Sequence, residues 1–301
     1  MKKASVLAVI FAALALGAQA RAQSRIEKHL ALSPGGEFVL QADGGSVTVT
    51  RGNSSGAEVV ITSNRGDLQS RYTFNFESSP GFARVTARRN GSFWNWGWGW
   101  HGSLHFDVTV PAETRLSLKT GGGSIVVSSL RGEEELNTSG GSIDASDIRG
   151  NLSANTSGGS INLREVDGDA VIATSGGSIR VASLDGSLQA HTSGGPIRIT
   201  GVTGRVEAST SGGSVEAVFA RGDSRGGDLE TSGGSINVRL DPSVNLNIDA
   251  STSGGSVSSD LPLRVVGKIS KSNLRGTLGS GGEMLRLHTS GGSIHIASNA
   301  T

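Results

Sequence analysis

The residues best suited to bind a ligand are aromatic and lie in one segment, residues 92–101, which holds every tryptophan of the chain. The tryptophans alternate with asparagine and glycine, so in an extended backbone the indoles would share one face. An indole joins an apolar ring to a polar N–H, and such a comb could stack on sugar rings or enter a membrane interface. It could instead cover the end of the fold, pack between protomers, or be disordered. The candidate ligand- or partner-binding residues are Phe93, Trp94, Trp96, Trp98 and Trp100.

Residues that could perform catalysis are scattered along the chain. Glycoside hydrolysis needs two carboxyl groups in one groove, whereas the acidic run at residues 133–135 is expected to form a solvated corner. His101 and His105 are close in sequence, which is weak evidence for a metal. The chain has no cysteine, and its glycine pairs lack the carboxylates of calcium-binding β-rolls. We therefore predict that the protein is not an enzyme and has no catalytic residues, no cofactor and no metal.

The N-terminus has the pattern of a secretory signal peptide. Lys2 and Lys3 precede an apolar stretch, residues 4–16, that is too short to span a bilayer comfortably. Small residues at positions 18, 20 and 22 provide cleavage sites, so we expect residues 1–22 to be removed and the charge to fall from +1 to −2. We therefore expect an exported protein of the periplasm, cell surface or medium, with no transmembrane span and no nucleic-acid partner.

The rest of the chain is organised by a repeat of 18 residues. Threonine precedes a glycine pair at six positions with this spacing: Thr120, Thr138, Thr156, Thr174, Thr192 and Thr210. Further copies begin at Thr231, Thr252 and Thr289, and a related sequence occupies residues 43–47. Such a period is typical of a solenoid, in which each unit buries its apolar face against its neighbours.

Apolar residues recur at fixed positions of every repeat: two before the threonine, and five, seven and ten after it. Polar residues alternate with them, which predicts two short strands per unit. Stacked at about 4.8 Å per coil, these strands would form two ladders around a thin aliphatic core. We expect the glycine pair to turn the chain at one corner in a positive-φ conformation.

The repeated threonine and serine hydroxyls have two interpretations. They can satisfy backbone groups at the tight corner, as short hydroxyl side chains commonly do. A flat, outward array could instead order water on an ice-binding surface. The threonines have the same strand phase as the inward columns, which favours the structural interpretation.

Residues 25–112 are less regular and are expected to cap the solenoid. Strands are expected at residues 37–40, 46–50, 58–62, 72–77, 82–87 and 104–110. The sequence thus predicts an all-β protein, a single elongated β-solenoid with two strands per coil. Its expected parts are a signal peptide (1–22), an N-terminal β region with the tryptophan insertion (23–112) and the repeats (113–297).

Two segments carry a resemblance to a known family. Residues 108–125 resemble the entry into the solenoid of the bacterial DUF4097 family, and residues 285–296 are similar to its closing coil. The resemblance covers roughly residues 38–297, and it implies a solenoid fold and a role in surface adhesion. It brings no catalytic or binding residues.

The leading hypothesis is therefore a non-enzymatic envelope or secreted scaffold, an adhesin or binding protein whose partner is a cell-surface glycan or an envelope protein. Two alternatives remain open. One is a β-helical carbohydrate-active enzyme, and the other is a structural periplasmic partner of an envelope signalling system.

Overall fold

The chain folds into two long β-sheets around one hydrophobic core. The expected signal peptide and the tryptophan segment, residues 1–22 and 92–101, lie outside the described residues. Within the described residues, no helix is long and apolar enough to cross a membrane. The structure is a computed structural model, and it describes residues 24–52, 56–64, 68–91, 103–219, 225–265 and 270–299.

The elements fall into three groups along the chain. The N-terminal group is β1 (Ser24–Leu30), β2 (Glu37–Ala42), β3 (Ser46–Arg51), β4 (Ala57–Ser63), α1 (Leu68–Arg71), β5 (Tyr72–Ser79), β6 (Phe82–Arg89) and β7 (Leu104–Val110). The regular group is β8 (Arg115–Thr120), β9 (Ile125–Arg131), β10 (Glu134–Thr138), β11 (Ile143–Arg149), β12 (Leu152–Thr156), β13 (Ile161–Asp167), β14 (Ala170–Thr174), β15 (Ile179–Asp185), β16 (Leu188–Thr192), β17 (Ile197–Val202), β18 (Val206–Thr210), β19 (Val215–Phe219), β20 (Gly227–Thr231) and β21 (Ile236–Leu240). The C-terminal group is β22 (Leu246–Thr252), β23 (Val257–Ser259), β24 (Arg264–Val265), β25 (Asn273–Leu278), β26 (Met284–Thr289) and β27 (Ile294–Ser298).

In the regular group each coil gives one strand to each sheet, which confirms the predicted β-solenoid. Strands pair in parallel with the coils above and below, and repeat positions pair with each other: Thr138 with Thr120 and Thr156, and Ile143 with Ile125 and Ile161. The four apolar columns predicted from the repeat are buried at every position of these coils that the structure describes. Each buried aliphatic side chain contributes about 1.5–3 kcal/mol relative to an exposed one, so coil-on-coil packing holds the stack together.

A kink that was not expected explains why two of the apolar columns are three residues apart. Just before the last inward residue of β9, β11, β13 and β15, one residue has φ between 52° and 61°. Strict alternation along the strand would place the side chain ten residues after the threonine on the outer face. The left-handed residue before it reverses the alternation, so this side chain points into the core. The next coil has Gly201 at this point, with φ of 66°. The left-handed residues other than glycine are Ser129, Asp147, Glu165 and Ser183.

Both corners of each coil need glycine because the backbones of successive coils stack closely. The expectation of positive φ at the glycine pair is wrong for the regular coils. There the second glycine lacks positive φ, but a Cβ on Gly159 or Gly177 would lie under 3.0 Å from a carbonyl oxygen of the preceding coil. The reason is therefore close stacking of backbones. Positive φ occurs at the opposite corner, where Gly150, Gly168 and Gly186 have values of 138° to 155°.

At the N-terminal end, the order of layers differs from the order of the chain. The coil β2–β3 lies between β6–β7 and β8–β9, so later strands cover the first coil. Outside β6–β7 the pairing becomes antiparallel, with β5 on β6 and β4 on β7, and β1 forms the sheet edge. Antiparallel strands therefore close an edge that would otherwise offer unpaired backbone groups.

The C-terminal end repeats this arrangement. Strands β26 and β27 insert between β20–β21 and β22–β23. Strand β25 then pairs antiparallel with β22, and β24 pairs antiparallel with β25 at the sheet edge. The interpretation of residues 285–296 as a closing coil is therefore wrong in position, because another layer covers this coil. Sequence order could not reveal it, since every coil carries the same corner motif.

Candidate functional site

The predicted tryptophan site occupies the connection between β6 and β7. Phe93, Trp94, Trp96, Trp98 and Trp100 themselves lie outside the described residues. Strand β6 belongs to the 14-stranded sheet and β7 to the 13-stranded sheet. In other coils this crossing is the Thr-Ser-Gly-Gly corner, so the insertion replaces one copy of that corner.

Hydrogen bonds hold both described ends of this insertion. Arg89 N donates to Asp43 Oδ2 at 2.8 Å, at the turn between β2 and β3. Asn90 Nδ2 donates to Ser70 O at 3.2 Å. On the other side, Ser103 N donates to Asn64 Oδ1 at 3.0 Å. The two ends are therefore positioned by the capping strands.

The same end of the solenoid carries a row of aromatic side chains on β5. The ring centroids of Tyr72 and Phe74 are 6.0 Å apart, and those of Phe74 and Phe76 are 6.5 Å apart. Lys28 Nζ lies 5.6 Å from the centroid of the Phe76 ring. Aromatic groups are thus concentrated in the layers next to the insertion, whereas the regular coils rely on aliphatic residues.

A shallow groove runs along the solenoid beside the Thr-Ser corners, over strands β8 to β16. We call it the corner groove; its volume is about 360 Å³. Its walls are the exposed serines of four successive corners and one outward column of the 14-stranded sheet. That column consists of Lys119, Asn137, Asn155, Ala173 and His191. Hydroxyls and amides dominate, so the groove suits a ligand with many hydroxyl groups and little charge.

The corner threonines form the rigid base of this groove and are not free to bind. All nine are at most 7% exposed. Thr174 shows the pattern: Oγ1 donates to Gly159 O at 2.8 Å in the preceding coil and accepts from Gly177 N at 3.2 Å. The structural interpretation of the threonine hydroxyls is confirmed, and an ice-binding face built from them is excluded because they point inward.

The outer face of the 13-stranded sheet differs from the groove because it carries charged residues. Arg198 Nε donates to Glu216 Oε2 at 2.8 Å on the neighbouring coil. This hydrogen bond lowers the pKa of Glu216, with a smaller contribution from the charge of Arg198. A charged face of this kind is a poor match for the neutral ligand that the corner groove suits.

One trio of side chains has the residue types of a hydrolase triad. On the outer face near the C-terminal end, His295 Nδ1 hydrogen-bonds Ser258 Oγ at 3.0 Å, and His295 Nε2 lies 3.2 Å from Asp260 Oδ2. His295 and Asp260 are 44% and 61% exposed. Nucleophilic catalysis needs oriented donors in a site shielded from water, and these side chains are open to solvent. The trio instead ties β27 to the outermost layer.

Glu134 was missed by the sequence analysis, and the expectation of a solvated acidic run at residues 133–135 is wrong for it. Its side chain is 2% exposed, in an inward column of the 14-stranded sheet. The repeat itself indicates burial, because Glu134 occupies the position that Leu116 and Leu152 fill in the adjacent coils.

The described residues contain no group of three acids or histidines that could hold a metal ion.

Comparisons with known proteins bear on the repeat region. A family model described as Toastrack DUF4097 matches residues 104–297, well over half of the chain. No protein with a curated function matches the sequence. The matched span begins at β7 and ends in β27, so it contains all the regular coils.

Two solved bacterial structures align with most of the chain. One, described as a putative lipid binding protein from Parabacteroides distasonis, has a TM-score of 0.51 and 13% identity, covering 92% of this chain and 97% of that chain. Another, described as a putative adhesin from Bacteroides fragilis, has a TM-score of 0.42 and 12% identity, covering 91% and 97%. At 13% identity, the likeness to the Parabacteroides distasonis structure shows the fold alone.

Proposed function

The chain belongs to the Toastrack DUF4097 family, and from that premise we propose that it is an exported, non-enzymatic binding scaffold that holds a neutral surface glycan along the corner groove. The observation that carries the proposal is the serine hydroxyl that repeats at four successive corners of that groove, beside the amides of Asn137 and Asn155 and with the cation Lys119 at one end. A polymer of hydroxyl-bearing units could meet equivalent serine and asparagine groups on successive coils.

The position of the tryptophan segment supports the same site. Ala87 of β6, Ala42 of β2 and Thr120 of β8 are in register across three adjacent strands. The insertion therefore leaves the solenoid at the same corner where the groove begins, two layers away. We propose that Phe93, Trp94, Trp96, Trp98 and Trp100 supply stacking surfaces for sugar rings at that end.

The remaining parts of the proposal agree with this site. The N-terminal signal pattern supports export to the periplasm, the cell surface or the medium. The solvent-open Ser258–His295–Asp260 trio supports a role without catalysis. An adhesive role would follow if the glycan lies on another cell.

The experiment is a glycan array and whole-cell binding assay with two matched arginine variants. Ala173→Arg places a long cation in the groove, and Ala182→Arg places the same side chain on the outer face of the 13-stranded sheet. We expect Ala173→Arg and a quadruple tryptophan-to-alanine variant to lose at least about tenfold in affinity, or 1.4 kcal/mol. Ala182→Arg should bind like the wild type. Equal binding by all four proteins would refute the site.

A further inference from the structure

Glu134 places a carboxyl group inside an aliphatic column. It is the first residue of β10, and its in-register neighbours are Leu116 on β8 and Leu152 on β12. The same column continues with Ala170, Leu188 and Val206. An uncharged residue at this position would complete the column, so the acid is an exception within a repeat that otherwise excludes charge.

Neither carboxyl oxygen of Glu134 has a hydrogen-bond partner among the described residues. Strand β12 carries no charged side chain. The charged groups of β10 and its turn, of β8, and of the opposing strands β9 and β11 are exposed or half-exposed on the outer surface: Glu133, Glu135, Arg115, Lys119, Arg131, Asp144, Asp147 and Arg149. Because no cation or donor compensates it, an ionised Glu134 would be strongly unfavourable in this place.

Burial raises the pKa of the Glu134 carboxyl from its ordinary 4.5 to about 8. An acid whose folded pKa is raised binds its proton more tightly in the folded chain than in the unfolded chain. Folding stability is therefore fully retained below about pH 4.5 and falls as the pH rises towards about 8. Above about pH 8 the carboxyl is ionised in both the folded and the unfolded chain, so its effect on the unfolding free energy no longer changes with pH.

We propose that Glu134 is a proton-dependent latch within the solenoid. Its neutral carboxyl lets β10 pack between β8 and β12, and transfer of its proton to solvent opens the stack at this coil. The effect is local because the other inward positions of the regular coils are apolar side chains and hydrogen-bonded threonines. The proposal does not depend on the proposed glycan site.

The test is unfolding by denaturant from pH 5 to pH 9, on the wild type and three variants. We expect the folding equilibrium constant of the wild type, relative to Glu134→Gln, to fall about tenfold per pH unit up to about pH 8 and then to level off, a total loss of more than about a hundredfold. Glu134→Leu should behave like Glu134→Gln. Glu135→Gln changes the adjacent, outward residue of the same strand and should follow the wild type.

Amide hydrogen exchange locates the effect. After correction for the intrinsic pH dependence of exchange, β8, β10 and β12 of the wild type should lose protection at pH 9 relative to pH 6, and Glu134→Gln should not. If Glu134→Leu fails to fold, the near-isosteric Glu134→Gln still shows whether the pH dependence of stability comes from the Glu134 carboxyl. The infrared band of a protonated carboxyl should appear in the wild type at pH 6. Absence of that band, or a glutamine variant with the wild-type pH dependence, would overturn the proposal.

Discussion

The regular coils and the two ends of the solenoid use the same strands in opposite ways. Between β8 and β21, each coil pairs with the next one along the chain, and equivalent residues align. At both ends, the first or last coil of the chain inserts between two layers that are consecutive in sequence, and antiparallel strands pair with the outer of those two layers. The middle can therefore grow or shrink by whole coils, whereas each end depends on one long-range insertion.

The largest effect is expected from truncation after Glu283, which removes β26 and β27. Leu285, Leu287, Ile294 and Ile296 are almost fully buried, and β22–β23 would lose the layer on which they pack. We expect a loss of more than about 5 kcal/mol in unfolding free energy, and loss of exchange protection in β20 to β25.

The matched control deletes residues 157–174, one whole coil of the middle. It joins Thr156 to Ser175, so the strands that come together keep their register. We expect a shorter protein that folds cooperatively, as measured by denaturant unfolding and circular dichroism. If this deletion unfolds the chain as severely as the truncation does, the contrast between middle and ends is wrong.

A second, smaller effect separates the two glycines of one corner. A Cβ on Gly177 would lie under 3.0 Å from Gly159 O, whereas one on Gly176 would lie 3.5 Å from Gly158 O. Gly177→Ala must push two coils apart, and we expect it to cost about 3 kcal/mol or more of unfolding free energy. Gly176→Ala should change stability by less than about 1 kcal/mol. Equal costs would show that stacking distance is not the reason for the second glycine.

The smallest effect concerns the hydrogen bonds of a corner threonine. Thr174→Val keeps the shape but leaves Gly159 O and Gly177 N without the Thr174 hydroxyl. We expect a loss of about 2 kcal/mol in thermal or denaturant unfolding. Ser175→Ala, at the exposed neighbouring position, should be within about 0.5 kcal/mol of the wild type. A silent Thr174→Val would mean that the hydroxyl has no structural role.

Much of the middle could be predicted because its information is local and repeated. The apolar columns and the inward phase of the threonines follow from periodicity. In the N-terminal group, the strands near residues 37–50 and 104–110 follow from the same alternation. The order of layers at the ends could not, because every coil has the same faces and any two could stack. The left-handed kink was visible only as an unexplained three-residue step between columns.

The sequence predicts which residues belong to the candidate site, but it does not predict where in the fold they lie. Alternating tryptophans predict a binding segment, and only the pairing of β6 with β2 and of β7 with β3 shows which corner of the fold it follows. The corner groove was missed because its outward residues, such as Asn137 and Asn155, vary between repeats and look like ordinary surface. Glu134 was missed because three consecutive acids suggested solvent exposure.

Hydrogen exchange of the chain, with and without the glycan selected on the array, shows whether the glycan lies in the corner groove. We expect slower exchange at the Thr-Ser corners of β10 to β16 and in residues 92–101 when the glycan is bound. Protection confined to the outer face of the 13-stranded sheet, or no change at the corners at saturating glycan, would contradict it.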